Sequence, residues 1–172
     1  IFGGIVIAAK NAETLRIINQ KIRDREIDKR YLCIVHGTPR PASGRLEGQL
    51  FKDAKENRVY ITKTPQKGSK TCITFYKTLQ SRNGLSLVEC ELVTGRTHQI
   101  RAHLESIGCP IVGDDRYFGP ERRKFNLFAD KLHLHAYKID LSALYNKQTV
   151  ITAPLPAHFK AGLEAAGLAF KN

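Results

Sequence analysis

The sequence predicts an α+β domain built on a largely antiparallel, mixed central sheet with flanking helices. Apolar and polar residues alternate along several short segments, as in half-buried β-strands, while three other segments repeat apolar residues at helical spacing. The chain has 172 residues, of which 42% are hydrophobic, and this is enough for one core. No repeat or linker divides it, so we expect residues 1–172 to form a single domain.

The first elements are predicted from one apolar run and one capping residue. Residues 4–10 are continuously apolar up to a lysine, which favours a central strand. Asn11 can cap a helix whose apolar residues recur through about Arg25. Residues 28–37 predict the next strand, and residues 38–44 form a turn-rich connection.

Two hairpins are predicted in the middle of the chain. The segments "RLEGQLF" and "NRVYITK" flank the charged turn "KDAKE". Residues 70–80 and 84–94 alternate well and are joined by "SRNG", which contains a strong hairpin turn. These four strands supply the antiparallel part of the sheet.

A helix, two strands and a terminal helix complete the domain. Thr97 can N-cap a helix that Gly108 closes, and Arg101 and Glu105 can pair on its exposed side. The apolar stripe of this helix consists of Ile100, Leu104 and Ile107. Residues 131–141 and 149–155 predict two strands, and a terminal helix follows Pro156.

The charge of the chain points to a polyanionic partner. There are 28 Lys and Arg residues against 16 Asp and Glu, and the formal net charge is +12. RNA or DNA is the first candidate, and an anionic membrane surface is the second. We expect a soluble, cytoplasmic protein, because no apolar run approaches the roughly 20 residues of a membrane span and no signal peptide is evident. Four widely spaced cysteines predict buried, reduced thiols.

Residues 92–117 crowd arginines, histidines and aspartates into one segment. A metal site there is disfavoured, because His98 and His103 are separated by roughly 140° around a helix and cannot chelate together. His133 and His135 share a strand face but lack an evident third ligand. A Ser-His-Asp triad is disfavoured because the chain has no Gly-x-Ser-x-Gly. Arg96, at a strand-to-helix junction, can project into a cleft, although an ordinary surface arginine remains equally open at this point.

The segment "TGRTHQIRAHLESIGCPIVGDDRY" resembles the signature of the RluA-type RNA pseudouridine synthases. Three further stretches are similar to family motifs in the same order, namely "GIVIAAKNAETL", "DKRYLCIVHG" and "KLHLHAYKIDL". The resemblance covers nearly all of the chain. It implies the pseudouridine synthase fold, isomerisation of specific uridines in structured ribosomal or transfer RNA, no cofactor and no metal, and we expect a monomer.

The resemblance also assigns roles to individual residues. Arg96 corresponds to the arginine that pairs with the catalytic aspartate, and Tyr31 to the active-site tyrosine. Leu134, or Leu132 on the same strand face, would contact the uracil. Further substrate-binding residues would be Thr97, His98 and Arg101. Phosphate contacts are expected among the basic residues Lys29, Arg30, Arg101, Arg116, Arg122, Arg123 and Lys124.

The family's catalytic aspartate lies in the motif H-R-L-D-x-x-T-x-G, whose glycine corresponds to Gly4. Phe2 then occupies the usual threonine position, which is a departure from the pattern, and the aspartate falls two residues before Ile1. We therefore expect a catalytic domain truncated at its N-terminal side, and residues 1–172 alone to be inactive. The alternatives are a non-catalytic RNA-binding protein on the same scaffold and, from a different class, a metal-dependent hydrolase.

Overall fold

One mixed β-sheet organises the computed structural model, which describes residues 3–117, 131–145 and 147–171. Its strands are β1 (Gly3–Gly4), β2 (Asp28–His36), β3 (Ser43–Asp53), β4 (Arg58–Thr62), β5 (Lys70–Arg82), β6 (Leu85–Leu92), β7 (Leu134–Asp140) and β8 (Val150–Thr152). The helices are α1 (Ala12–Arg23), α2 (Gln99–Ser106), α3 (Ser142–Tyr145) and α4 (Ala157–Ala166). None of these helices is long and apolar enough to cross a bilayer.

The strand order confirms a largely antiparallel mixed sheet. It runs β1-β7-β2-β6-β5-β3-β4, and β8 also pairs with β7. Among the strands described, β1 and β7 form the one parallel pair, and the other pairs are antiparallel. The central strand is β2, which lies between β6 and β7.

Local sequence signals account for the hairpins and the first helix. Both predicted hairpins form, as β3–β4 and β5–β6. The β5–β6 turn places Asn83 and Gly84 at φ 52° and 73°, a left-handed pair that suits a tight hairpin. The Asn11 side chain accepts a hydrogen bond of 2.8 Å from the Thr14 amide, which confirms the predicted N-cap. Helix α1 ends at Arg23, slightly before the predicted end near Arg25.

The prediction of a central strand over residues 4–10 is wrong. Only Gly3–Gly4 pairs with the sheet, beside β7, and the chain leaves the ladder after the Ile5 amide donates to the Ala136 carbonyl at 2.9 Å. Residues Ile5 and Ile7 pack against the cluster formed by α1, β7 and their neighbours, whereas Val6 is 89% exposed. The apolar run therefore packs against one side of the sheet at its edge. A short apolar run looks the same in the sequence whether it forms a buried strand or packs at a sheet edge.

The C-terminal part matches the prediction in type but not in length. Strand β7 begins at Leu134 and β8 covers only Val150–Thr152, so both are shorter than predicted. The short helix α3 was not predicted. The terminal helix α4 follows Pro156 as expected.

The two faces of β2 have different neighbours. Leu32 and Ile34 point to the face covered by α4, where they join Phe159 in one buried cluster. The alternate residues Cys33 and Val35 point to the opposite face, covered by α2. Tyr31 shares the parity of the second set, so the sheet places it on the α2 side. All four cysteines are buried, as predicted.

Gly4 permits β1 to approach β7 closely. Its φ of +119° is rarely adopted by residues with a side chain, and an added Cβ would lie 2.2 Å from the Ala136 carbonyl oxygen. No flexible side chain is available to yield, because the obstacle is backbone. β1 can therefore lie against β7 only because position 4 has no side chain.

We predict that Gly4→Ala detaches β1 from β7. The Ile5 amide should then exchange its hydrogen roughly tenfold faster or more, because its bond to Ala136 opens locally. Gly84→Ala is the matched control, since it also has a positive φ but no atom within 4 Å of the added Cβ. It should lower the free energy of unfolding by about 1–2 kcal/mol and leave Ile5 exchange unchanged. Unaltered protection of Ile5 in Gly4→Ala would contradict the prediction.

Candidate active-site cleft

A cleft of about 510 Å³ opens where β1, β2, β7 and the start of α2 meet. It is lined by most of the residues singled out from the sequence, namely Tyr31, Arg96, Thr97, His98, Arg101 and Leu134. Gly3 and Gly4 form part of its wall, so Arg96 and Tyr31 lie in the same cleft as the first described residues. Leu132 does not line the cleft and instead packs against the core cluster under α2. The catalytic and binding roles of these residues stay predictions.

Tyr31 and Leu134 form an aromatic and apolar wall. In the antiparallel pairing of β2 and β7, Tyr31 lies opposite Ala136 and Cys33 lies opposite Leu134, so the side chains share one face. Leu134 is buried, and Tyr31 is half-buried against the same cluster. Burial raises the pKa of the Tyr31 phenol, which therefore stays protonated at neutral pH.

Arg96 is exposed on the loop that joins β6 to α2. Its Nε donates a long hydrogen bond of 3.4 Å to the Thr71 carbonyl. Within the described part of the chain, no carboxylate lies at ion-pair distance from its guanidinium. The group can therefore turn towards an anion in the cleft without breaking an existing ion pair.

Gln99 fixes the backbone that carries Arg96. Its side-chain oxygen accepts from the Thr94 hydroxyl at 2.7 Å and from the Arg96 amide at 3.1 Å. Its side-chain amide donates to the Ile73 carbonyl and the Thr74 hydroxyl, each at 2.9 Å. Sequence reasoning missed this residue. The signal was a polar residue beside Ile100 on the apolar face of an amphipathic helix, where burial requires hydrogen-bond partners.

The predicted N-cap at Thr97 is wrong. Helix α2 begins at Gln99, with His98 at the N-cap position in the left-handed conformation at φ 54° and with no side-chain cap. The turn closes through the Gln99 amide, which donates to the Arg96 carbonyl at 3.2 Å. The Gln99 amide, which a Thr97 cap could otherwise bind, thus already has a backbone acceptor. Thr97 instead faces the cleft, where it is exposed. The predicted end of this helix holds, since Gly108 follows it at φ 73°.

The predicted pair between Arg101 and Glu105 on the exposed side of the helix does not form. Arg101 forms a buried two-point ion pair with Asp114, with N–O distances of 2.8 and 2.7 Å and side chains that are 9% and 0% exposed. Glu105 lies 3.6 Å from Arg58 instead. The guanidinium reaches Asp114 because the chain turns back under α2 after Gly108, a contact that helical spacing does not reveal.

The environment of Asp114 favours its ionised form. Burial alone would raise the carboxyl pKa, but the Arg101 hydrogen bonds and charge, together with donation from the Tyr117 and Arg116 amides, lower it overall. For Arg101, burial acts to lower the guanidinium pKa, and the bonds to Asp114 outweigh it. Each charge is thus compensated within the buried pair.

Arg30 is poorly placed to bind phosphate, because carboxylates surround its guanidinium. Its guanidinium lies 2.8 Å from Asp28, 3.2 Å from Glu89 and 3.3 Å from Glu91. The expected positive charge is therefore locally neutralised.

Lys29 and Arg116 are better placed among the expected phosphate contacts. The Lys29 ammonium lies 3.8 Å from the point that a Cβ on Gly95 would occupy, beside Arg96 on the chain, and burial lowers its pKa. Arg116 is half-buried and donates to the Asn57 carbonyl. Arg122, Arg123 and Lys124 lie outside the described residues.

The histidines considered as metal ligands have other neighbours. His103 is buried, with Nδ1 2.8 Å from the Thr74 hydroxyl and Nε2 3.4 Å from the Cys72 sulfur, and burial lowers its pKa to about 4. His133 and His135 both pack against the Phe159 ring. Over residues 3–117, 131–145 and 147–171, no group of three or more His, Cys, Asp or Glu side chains is arranged to hold a metal ion.

Comparison with known proteins identifies the class. Residues 3–106 match the RNA pseudouridylate synthase family, so the chain belongs to that family and the predicted RluA-type relationship is confirmed. It is 34% identical over 158 residues to ribosomal large subunit pseudouridine synthase C of Rickettsia typhi, covering 91% of this chain and 51% of the relative. It is 33% identical over 156 residues to ribosomal large subunit pseudouridine synthase D of Borreliella burgdorferi, covering 91% and 46%. The chain therefore spans about half the length of the curated relatives it matches.

Solved structures show the same fold. Human RNA pseudouridylate synthase domain containing 4 matches with a TM-score of 0.76 and 24% identity, over 94% of this chain and 70% of that one. Human RNA pseudouridylate synthase domain containing 1 matches with a TM-score of 0.68 and 23% identity, over 86% and 62%. The predicted pseudouridine synthase fold is therefore confirmed.

We predict that Asp114→Asn lowers the free energy of unfolding by about 3–5 kcal/mol at pH 7, because it leaves the Arg101 charge buried without a counter-charge. The folded-state pKa of Asp114 is depressed below its ordinary 3.8, so its contribution is present above that pH and is lost as the pH falls through the folded value. The free energies of unfolding of the wild-type protein and Asp114→Asn, measured with urea, should therefore converge as the pH falls below 3.8.

Asp115→Asn is the matched control for this measurement. Asp115 also approaches Arg101, at 3.4 Å, but its side chain is 70% exposed. Its removal should cost less than about 1 kcal/mol. Equal decreases in the free energy of unfolding of the two variants would show that the buried pair stabilises the fold no more than the exposed one.

Proposed function

We propose that the protein isomerises specific uridines to pseudouridine in structured RNA, with ribosomal RNA as the first substrate to test and transfer RNA as the second. The observation that carries the proposal is the meeting of Arg96, Tyr31 and Leu134 in one cleft of a chain that belongs to the RNA pseudouridylate synthase family. The names of the relatives refer to the large ribosomal subunit, which is why ribosomal RNA comes first.

The cleft can hold a flipped nucleotide. A uridine in a helix must leave the stack before its glycosidic bond can be reached, at a cost of about a few kcal/mol. Stacking on an aromatic side chain returns about 1–3 kcal/mol per base. Tyr31 offers that face, and Leu134 offers apolar contact on the same wall. The volume of about 510 Å³ leaves room for the ribose as well.

Arg96 would orient the carboxylate that starts the reaction. A guanidinium stays charged at all relevant pH values and can hold a carboxylate through two parallel hydrogen bonds. The resemblance places the nucleophilic aspartate shortly before Gly4, and Gly4 lies on the wall of the cleft that Arg96 lines. The aspartate would then be ionised and aimed at the ribose or the base.

The reaction itself breaks the N1–C1′ bond, rotates the uracil and joins its C5 to C1′. The carboxylate acts as nucleophile or base, the electron pair of the broken bond stays on N1, and in the product C5 has lost its proton while N1 has gained one. The Tyr31 phenol is neutral at pH 7, because burial raises its pKa, so it can take part in that proton transfer as well as in stacking. An isomerisation needs neither a redox partner nor an energy source, so we propose no cofactor.

The basic charge of the chain would hold the RNA around the cleft. The formal charge of +12 predicts binding that weakens steeply as salt rises, because each phosphate contact releases counterions. Lys29 and Arg116 are the described cations near the cleft that we assign to phosphates. We further propose that the protein acts as a monomer in the cytoplasm.

The direct test compares two versions of the protein on ribosomal and transfer RNA carrying ³H at C5 of uridine. A version extended upstream through the expected Arg-Leu-Asp should release tritium and form pseudouridine. Residues 1–172 alone should bind the RNA, weakly and with strong salt dependence, but form no product, because no described carboxylate lies at ion-pair distance from Arg96.

Two results would count against the proposal. Product formed by residues 1–172 would overturn the assignment of the nucleophile. No product from the extended version on any RNA tested, with RNA binding retained, would favour a non-catalytic RNA-binding protein.

We predict that Arg96→Lys in the extended version lowers kcat by about 100-fold or more, because an ammonium cannot reproduce the two-point pairing with a carboxylate. The melting temperature should stay unchanged, since the Arg96 side chain is exposed. Arg16→Lys on the exposed side of α1 is the control and should leave kcat unchanged. Comparable activity of the two variants would show that Arg96 makes no such pair.

A further inference from the structure

We propose that His98 donates a hydrogen bond from Nε2 to a phosphodiester oxygen of the bound RNA, and that Tyr117 holds its ring in the tautomer that makes this possible. The RNA contact rests on the proposed function, whereas the tautomer does not. Tyr117 acts as a positioning residue, because it reaches the RNA only through His98.

The tautomer follows from the partners of the Tyr117 hydroxyl. The Val59 amide donates to this oxygen at 2.9 Å, and His98 Nδ1 lies 3.0 Å from it. A backbone N–H can only donate, so the hydroxyl accepts there and keeps its own hydrogen for another partner. Among the described residues, His98 Nδ1 is the acceptor within reach. If the oxygen also accepted from an Nδ1–H, the Tyr117 hydrogen would have no acceptor among the described residues. We therefore assign donation from the Tyr117 hydroxyl to Nδ1, which places the ring hydrogen on Nε2.

The hydroxyl of Tyr117 is itself rigidly placed. Tyr117 is 1% exposed, and its ring lies under the guanidinium groups of Arg101 at 4.9 Å and Arg58 at 5.1 Å. Its backbone amide donates to the Asp114 carboxylate at 2.9 Å. The buried ion pair thus fixes the residue that in turn fixes the histidine.

The backbone of His98 supports a specific placement. Its φ of 54° lies in the left-handed region, which is uncommon for a residue with a side chain and persists where the surroundings impose it. The His98 and Tyr117 rings meet edge to face, with centroids 5.6 Å apart and an angle of 80°. Nδ1 is directed to Tyr117, so Nε2, on the other side of the ring, is left for the cleft that His98 lines.

The charges around His98 keep it neutral and attract phosphate. Burial and the positive charges of Arg101 on α2, Arg116 on the following loop and Lys52 on β3 lower its pKa below 6.5, although Asp114 acts in the opposite direction. His98 is therefore a neutral donor at pH 7. The positive charges of Arg101, Arg116 and Lys52 together outweigh Asp114 at this position, and this field favours a phosphodiester over an uncharged acceptor.

The tautomer can be read by NMR without RNA. In ¹⁵N-labelled protein at pH 7, two-bond ¹H–¹⁵N spectra should show the pattern of an Nε2–H imidazole for His98, assigned by its loss in His98→Gln. In Tyr117→Phe the pattern should shift towards a mixture of tautomers, because the donor to Nδ1 is gone. An Nδ1–H ring or an imidazolium in the wild-type protein would overturn the proposal.

The RNA contact is tested with a matched pair of amides. The side-chain nitrogen of glutamine can occupy the position of His Nε2, whereas that of asparagine corresponds to Nδ1. His98→Gln should bind RNA within about twofold of wild type, and His98→Asn should lose about tenfold. Because the donor is neutral, the slope of log affinity against log salt should be the same in all three proteins, whereas loss of a cationic contact would reduce it by about one.

The outcomes separate this inference from the proposed function. Equal binding by the two amide variants, whether strong or weak, would overturn the Nε2 contact, and so would a reduced salt slope in His98→Asn. Absence of RNA binding by the wild-type protein would overturn the proposed function and the RNA contact with it, while the NMR result would still decide the tautomer. Should Tyr117→Phe fail to fold, the wild-type spectrum and the amide pair remain decisive, since His98 is half-exposed.

Discussion

The buried ion pair between Arg101 and Asp114 is the interaction on which the geometry of the cleft depends. It joins α2 to the segment that follows it, and the carboxylate also accepts the amides of Arg116 and Tyr117. Neither charge could be buried alone without a large desolvation cost, so each requires the other. A pair of this kind contributes to a single arrangement of the two segments, and this arrangement sets where the start of α2 faces the cleft.

Two polar residues extend that order to the functional loop. Gln99 bonds Ile73 and Thr74 on β5 and the amide of Arg96, so the loop backbone is fixed while the Arg96 guanidinium stays exposed. Tyr117 reaches the opposite side, where its hydroxyl accepts the Val59 amide of the edge strand β4 and meets His98. Capping that amide also protects the strand edge from unwanted pairing. The same contacts that stabilise the fold thus determine the orientation of the side chains in the cleft.

Local signals in the sequence predicted the elements whose cause is itself local. Asn11 capped α1 as expected, and Asn83–Gly84 made the tight turn of a hairpin, because capping and turn formation involve only neighbouring residues. Residues 4–10 were wrongly assigned to a central strand, since an apolar run has the same appearance at a sheet margin as inside a sheet. Thr97 was wrongly assigned as a cap, because α2 begins at Gln99 after a left-handed His98 and the Gln99 amide donates to the Arg96 carbonyl. The family motif brought Arg96, Tyr31 and Leu134 into consideration, and it did not indicate Gln99 or Tyr117 as supports.

The sequence by itself determined the class of fold, the basic surface and the residue types available for chemistry, because periodicity, composition and motif spacing are properties of the chain. Only the tertiary structure decided the partners of those residues. Arg101 has Glu105 one helical turn away, yet it pairs with Asp114. A buried two-point ion pair is much stronger than an exposed pair, which water and salt weaken. The Tyr117 hydroxyl meets Val59 across 58 residues of sequence, a distance over which no local pattern carries information. Contacts between remote segments depend on how the sheet and helices pack, and that packing is settled by the whole chain at once.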